Sequence, residues 1–300
     1  MRQIILHLGI HKTATKFLQR SVFNNLSCLE YIDKIMINDD LMMKLLHKDL
    51  LSFQNEVDVI RDEFFSLSKS DKLILLFSHE LFSGNIFFSS NNRFILLSKL
   101  KTLFPDAKII ITIRGQRELI DSIYREYVVQ GGCMKLESFI SHNKPRGVLS
   151  YHPSLDLDAL KYGVYLDTIT KLFGINNCCI LTYEMLLKDP KKYLTQIFDF
   201  LGESQNAKNF DYKKIRPSLN NSAIGFLRIA NKLYYSAMSN SGILPFSYNP
   251  IKLVQLLKNF QNPTKKSPLF KTSIKFDFNK DNNYINKKYK LNLDSKFYDL

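Results

Sequence analysis

Two hydroxyls, two lysines and a histidine fall within His11-Lys12-Thr13-Ala14-Thr15-Lys16, between the apolar run Ile4, Ile5, Leu6 and the pair Phe17, Leu18. The order reads as strand, anion loop, helix. A helix N-terminus offers unpaired N–H groups and a partial positive charge, so a phosphate or sulfate group is held there without a buried counter-charge. The amides of Thr13, Ala14, Thr15, Lys16 and Phe17 would face its oxygens, and the Lys12 ammonium would reach it from mid-loop. A second cluster follows Lys108–Ile113, where Arg114 closes the run KIIITI and Ser122 comes eight residues later on a helical stretch. Arginine grips phosphate through a forked, permanently charged group, and a helix-borne hydroxyl adds a directional bond. The third is Ser78-His79-Glu80, delivered after the apolar run 72–77, at the strand end where open α/β sheets bind ligands.

The first cluster fails the triphosphate motif G-x-x-x-x-G-K-[ST]. Aligned on Gly9, Ala14 stands in place of the second glycine, Thr15 in place of the lysine, and Lys16 in place of the magnesium-holding hydroxyl. A loop with its lysine displaced to position 12 suits a phosphate or sulfate without a dedicated metal.

GIHKTATKFLQ resembles the 5′-phosphosulfate loop of sulfotransferases that use 3′-phosphoadenylyl sulfate (PAPS), especially their bacterial members. Those loops carry Gly where Ala14 stands, tolerable here if Ala14 keeps a negative φ, and Thr or Ser where Lys16 stands. The family's second signature, an Arg at a strand end and a Ser eight residues on, is similar to Arg114 and Ser122, which would hold the 3′-phosphate. The likeness continues through FGINNCCILTYEMLLKDPKKYLTQIFDFLG and covers about residues 1–202. It implies a P-loop-like three-layer α/β/α sandwich with a parallel central sheet, PAPS as donor, 3′,5′-adenosine bisphosphate (PAP) as product, and no metal. It also implies a saccharide or other hydroxyl acceptor, and Lys12 as the group that stabilises charge on the leaving oxygen. Relatives take the acceptor proton with a Glu or a His. Glu80 is the expected base and His79 its rival. Tyr183 reads first as a core aromatic, with packing on adenine as the alternative, and Lys214 and Arg216 are candidates for the 3′-phosphate.

The elements that must position these groups are readable from periodicity. Buried-strand runs at 3–8, 72–77, 108–113 and 178–182 alternate with helical patterns, which predicts right-handed parallel crossovers. Helices are expected over 41–68, long or broken, and over 91–104, 116–130, 155–173, 190–201 and 218–238, the last capped by Ser218. Strand alternation lets only one of His79 and Glu80 enter the cleft. Segment 133–154 is irregular and is expected to grip the acceptor. We divide the chain into a domain over 1–240 and a basic C-terminal extension over 241–300.

A net charge of +14, from 42 basic and 28 acidic residues, favours a polyanionic partner. Half of it lies beyond residue 250, where eleven lysines meet four aspartates. The cysteines Cys28, Cys133, Cys178 and Cys179 lack metal-ligand spacing and read as reduced thiols. With no apolar signal core and no run long enough to span a membrane, a cytoplasmic setting follows, with peripheral contact to a membrane or glycan assembly left open. Two alternatives accompany the sulfotransferase reading: a P-loop small-molecule kinase, opposed by the missing lysine after Ala14, and a non-enzymatic polyanion-binding module. A nucleic-acid partner is not expected, because no aromatic-basic recognition motif occurs.

Overall fold

The computed structural model describes residues 2–140, 153–203, 219–236, 238–239, 242–244, 254–255, 257 and 277–300. Five parallel strands form one sheet: β1 (Gln3–Leu8), β2 (Leu29–Ile32), β3 (Ile74–His79), β4 (Lys108–Ile113) and β5 (Cys178–Thr182), in the order β2-β3-β1-β4-β5. The helices in chain order are α1 (Thr15–Phe17), α2 (Asp39–His47), α3 (Leu50–Asn55), α4 (Val57–Ser66), α5 (Arg93–Leu103), α6 (Gln116–Val129), α7 (Leu136–Ile140), α8 (Gly163–Phe173), α9 (Tyr183–Lys188), α10 (Pro190–Leu201), α11 (Asn221–Ala230) and α12 (Asn279–Tyr289).

Two apolar layers follow from the two-residue period of a strand. Ile4, Leu6 and Leu8 of β1 join Leu75, Phe77, Ile109 and Ile111 under α2, α4, α5, α6 and α8. Ile5, Leu76 and Ile110 point the other way, into a cluster with Phe17, Leu18, Phe23 and the Tyr193, Leu194, Ile197 and Phe198 stripe of α10. Sheet and two helical layers make the three-layer α/β sandwich. Local chemistry sets the helix limits. Asn38 accepts from the Leu41 amide at the start of α2, Asp189 accepts from the Lys192 amide with Pro190 opening α10, and Gly202 ends α10 at φ 82°.

Several expectations shift. The run expected at 72–77 pairs as Ile74–His79, so Ser78 and His79 belong to the strand. The 41–68 stretch divides into α2, α3 and α4, with Asp49 capping α3 through its bond from the Ser52 amide. The 218–238 helix is shorter, capped by Asn220, with Ser218 outside the described residues. Strand β2 and helix α12 were not expected. Helix α12 is docked by Asp281, whose carboxylate accepts the Tyr162 and Gly163 amides at 2.7 and 3.0 Å and so caps α8. Beyond it, the Tyr298 hydroxyl donates to Glu184 at 2.7 Å, while the other Glu184 oxygen accepts the Gly115 amide at 3.0 Å. The C-terminal segment thereby braces the β4–α6 turn next to Arg114.

Candidate active site

Because every strand is parallel, their carboxyl ends share one edge, and β1 lies there between β3 and β4. Leu8, the last residue of β1, is level with His79 of β3 and Ile111 of β4. Gly9 opens the loop because a Cβ there would lie 2.7 Å from Thr15 Cγ2 and 3.6 Å from Glu80 Cα. The Thr13 and Thr15 hydroxyls donate to the Ile10 carbonyl at 2.7 and 3.2 Å. Both side chains are buried and brace the loop from within. No described group accepts from the amides of Thr13, Ala14 or Thr15, so these remain for a ligand. Thr15 begins α1, and Lys16 and Phe17 carry it without a break into a π-helical stretch at Leu18–Val22. Ala14 does not keep a negative φ. It stands at φ 65°, ψ 18°, and Lys12 is also left-handed at φ 69°. The loop needs this turn to aim its amides, and the alanine methyl is strained by it.

The Lys12 ammonium donates to Glu126 Oε2 at 2.7 Å. Burial alone would push the Glu126 carboxyl up, but the Lys12 charge and hydrogen bond hold it below the usual carboxylate range. Arg114 spreads over three partners: the Lys12 carbonyl at 2.9 Å, Glu118 at 3.2 Å, and the Tyr183 ring, whose centroid lies 4.5 Å from the guanidinium carbon. Its Nε is buried with no partner. Tyr183 thus supports Arg114 instead of offering an open face to adenine. Glu118, Ser122 and Glu126 are spaced four apart on α6, so Ser122 lies on the stripe between the carboxylate that holds Arg114 and the one that holds Lys12. The sequence reading missed both glutamates, although their spacing from Ser122 was visible. Free amides, Lys12, Arg114 with its orphan N–H, and Ser122 fit a nucleotide carrying anions at both ends.

On the β3 side, a cavity of about 600 Å³ is lined by His11, His79 and Glu80, with Asn38, Asp39, Asn85, Phe87 and Gln130 among its other walls. His79 and Glu80 both line it, contrary to strand alternation, because β3 ends at His79 and Glu80 begins a 3-10 turn. His79 Nδ1 accepts the Leu81 amide at 3.0 Å, which puts the neutral ring's proton on Nε2. Burial lowers the His79 pKa to about 4 and that of His11 in the same direction. The ring is therefore a neutral donor toward the cavity, and Glu80 is the wall's carboxylate nearest the loop. His7 lies away from it, with Nδ1 2.7 Å from Ser78 Oγ and its edge toward Phe23. None of the described residues of 133–154 lines the cavity, and 141–152, Lys214 and Arg216 lie outside the described residues. Among the described residues no group of three or more His, Cys, Asp or Glu could hold a metal, and no helix is long and apolar enough to cross a membrane.

Among curated proteins no sequence matches. The chain is similar to the crystal structure of a sulfotransferase from Alicyclobacillus acidocaldarius, with 16% identity and a TM-score of 0.51 over 71% of this chain and 87% of that one. The sulfotransferase domain from the curacin biosynthetic pathway aligns over 98% and 99% of the two chains with 13% identity and a TM-score of 0.46. Mouse sulfotransferase SULT7A1 complexed with PAP aligns over 95% and 82% with 14% identity and a TM-score of 0.36. The sequence model described as "Sulfotransferase family" matches residues 47–206, from α2 past the end of α10, taking in Glu80, Arg114 and Ser122. With more than half its length matched and the fold shared with the Alicyclobacillus enzyme, the chain belongs to the sulfotransferase family.

Proposed function

We propose that the chain moves a sulfuryl group from 3′-phosphoadenylyl sulfate to a hydroxyl of a saccharide. The observation that carries this reading is the strand order. With β1 between β4 and β3, the loop lies between Arg114 and Ser122 on one flank and a carboxylate-walled cavity on the other. Arg114 and Ser122 would hold the 3′-phosphate, and the free amides of the loop the 5′-phosphosulfate. Glu80 would take the acceptor proton as the oxygen attacks sulfur. The bond from sulfur to the bridging oxygen breaks, and Lys12 balances the charge that grows on that oxygen and leaves with PAP. No step requires a metal.

The cavity wall supports a neutral polyol. Amide side chains of Asn38, Asn85 and Gln130 and carboxylates of Asp39 and Glu80 bond hydroxyls, while Phe87, edge-on to His11 at 5.9 Å, suits the apolar face of a sugar ring. None of the four cysteines is in a disulfide, and burial pushes Cys178 and Cys179 up to about 12, which suits a reducing cytoplasm.

Titration calorimetry tests the donor: PAP should bind without magnesium, and stronger binding of ATP with magnesium would return the kinase reading. Arg114→Ala should weaken PAP binding. Glu80→Gln should leave PAP binding intact and abolish transfer of labelled sulfuryl to a saccharide pool; full turnover in that variant removes Glu80 from its role.

A further inference from the structure

The pairing of β4 with its neighbours ends at Ile113, so the sheet does not fix the backbone of the next residue, Arg114. Side chains from distant parts of the chain do. The Tyr162 hydroxyl donates to the Arg114 carbonyl at 2.7 Å, and Glu184, near the start of α9, accepts the Gly115 amide at 3.0 Å. Glu184 is held in turn from segment 297–299, where the Tyr298 hydroxyl donates to its other oxygen at 2.7 Å. Glu184 is 6% exposed and Tyr298 2%. The segment is itself pre-shaped, because the Phe297 and Tyr298 amides both donate to the Asp294 carbonyl, at 2.9 and 3.1 Å.

The same segment reaches the rest of the turn. Gly115 stands at φ −51°, ψ 125°, a conformation open to any residue, so its glycine serves space and not backbone freedom. A Cβ there would lie 2.5 Å from the Phe297 carbonyl oxygen. Gln116 exchanges hydrogen bonds with Asn282 at 2.6 and 3.2 Å, and Asn282 also donates to the Asp299 carbonyl at 3.0 Å. The Asp299 carboxylate accepts from Arg117 at 3.0 Å.

This bracing bears on how Arg114 is aimed. A guanidinium selects phosphate through a rigid fork of donors, and each bond weakens steeply as its angle departs from linearity. Two arms of the Arg114 fork are already tied, to the Lys12 carbonyl and Glu118, and its Nε is buried without a partner. The backbone of the turn therefore sets where the fork points. Burial pushes the Glu184 carboxyl up, while the Gly115 amide, the Tyr298 hydroxyl and the Arg114 charge oppose it. Without the Tyr298 hydroxyl, one carboxylate oxygen is left buried and unsatisfied, a costly state that Glu184 relieves only by turning away from Gly115.

We propose that segment 297–299 is a positioning clamp for Arg114 and thereby sets the preference of the site for a nucleotide bearing a 3′-phosphate. The clamp acts through Glu184 and Gly115 and not by contact with the nucleotide. It rests on the PAPS reading above and extends the donor site to residues more than a hundred positions from Arg114 in the chain.

Calorimetry with two ligands, PAP and adenosine 5′-monophosphate, isolates the contribution of the 3′-phosphate. The wild type should bind PAP more tightly. Tyr298→Phe removes a single oxygen, and Gly115→Ala pushes Phe297 off its seat. In each, PAP affinity should fall about tenfold, the scale of one lost hydrogen bond to a charged group, while affinity for the monophosphate is unchanged. Circular dichroism at the titration temperature establishes that each variant is folded; should Gly115→Ala fail to fold, Tyr298→Phe decides. A preference for PAP that persists in the folded variants, or equal weakening of both ligands as a merely structural role would give, overturns the clamp and leaves the PAPS reading standing. A wild type with no preference for PAP overturns both.

Discussion

Replacing Ala14 by glycine should stabilise the protein, against the usual direction for an alanine at the start of a helix. The reason is its backbone at φ 65°, ψ 18°, where a Cβ crowds the following carbonyl. That conformation costs an L-residue about 1–2 kcal/mol, which glycine escapes. Two losses oppose the gain. Glycine adds freedom to the unfolded chain, and the Ala14 methyl, packed against the Phe17 cluster, forfeits part of the ~0.8 kcal/mol of a buried carbon. The balance is about 0.5–1 kcal/mol in favour of glycine, which for a chain of this size raises the thermal midpoint by about 1–3 °C. Valine at the same place should do the reverse and by more, because branching at Cβ makes the left-handed region costlier still. Circular-dichroism melts of Ala14→Gly, wild type and Ala14→Val should rank in that order. A glycine variant that melts at or below the wild type would refute the left-handed geometry of the loop, and with it the claim that strain there aims the Thr13, Ala14 and Thr15 amides.

Lys12 and Glu126 are each about one-third exposed, so their ion pair is screened, and a double-mutant cycle with Lys12→Ala and Glu126→Ala should give a coupling of about 1 kcal/mol in urea denaturation; additive effects would show that the 2.7 Å contact is energetically empty. In the pH profile, His7 and His79 are buried neutral, with folded pKa values of about 3 and about 4 against the ordinary 6.5. Above 6.5 neither state binds the proton; below it the unfolded chain does and the folded chain does not, so stability is complete above 6.5 and falls toward pH 4. The slope should reach on the order of 2–3 kcal/mol per pH unit, and urea midpoints unchanged from pH 7.5 to 5 would contradict it.

What was legible in the chain is what local pattern encodes. Lys108–Ile113 announces a buried strand because each of its interior residues has a branched side chain and the sheet covers both of its faces. The loop and Arg114 were readable because chemistry at a strand end depends on a few consecutive residues. β2 was not: LEYI is a four-residue edge strand, and Glu30 in it turns outward to accept from Ser68, Lys69 and Ser70. α12 reads NKDNNYINKKY, too polar to declare a buried face; Asp281 and Asn282 dock it by hydrogen bonds to α8 and Gln116, partners more than a hundred residues away. The φ of Ala14 was hidden for a different reason. An alanine in a left-handed position violates propensity, and the surrounding fold overrules it. The cavity walls were hidden because segments 34–42 and 79–87 meet only after β3 is inserted between β2 and β1.

The cavity also revises what the charge of the chain means. A surplus of +14 invites a polyanionic acceptor, yet among the described residues that line the cavity the one cation is Lys34, against Asp39 and Glu80, with His11 and His79 held neutral by burial. A sulfated or uronic-acid glycan would bring its charges to two carboxylates in a partly enclosed space, where each like-charge contact opposes binding more strongly than it would in open water. On the other flank of the loop, Glu118 and Glu126 hold Arg114 and Lys12 through hydrogen bonds that, under the proposed function, an incoming phosphate or sulfonate would replace. Exchange of carboxylate for phosphate at the same donors would conserve charge pairing throughout, so under the proposed function this site would select a ligand with anions at both ends over one with a single anion. Under the proposed function, positive charge would serve the nucleotide, and recognition of the acceptor would fall to the amides, carboxylates and one aromatic ring that line the cavity.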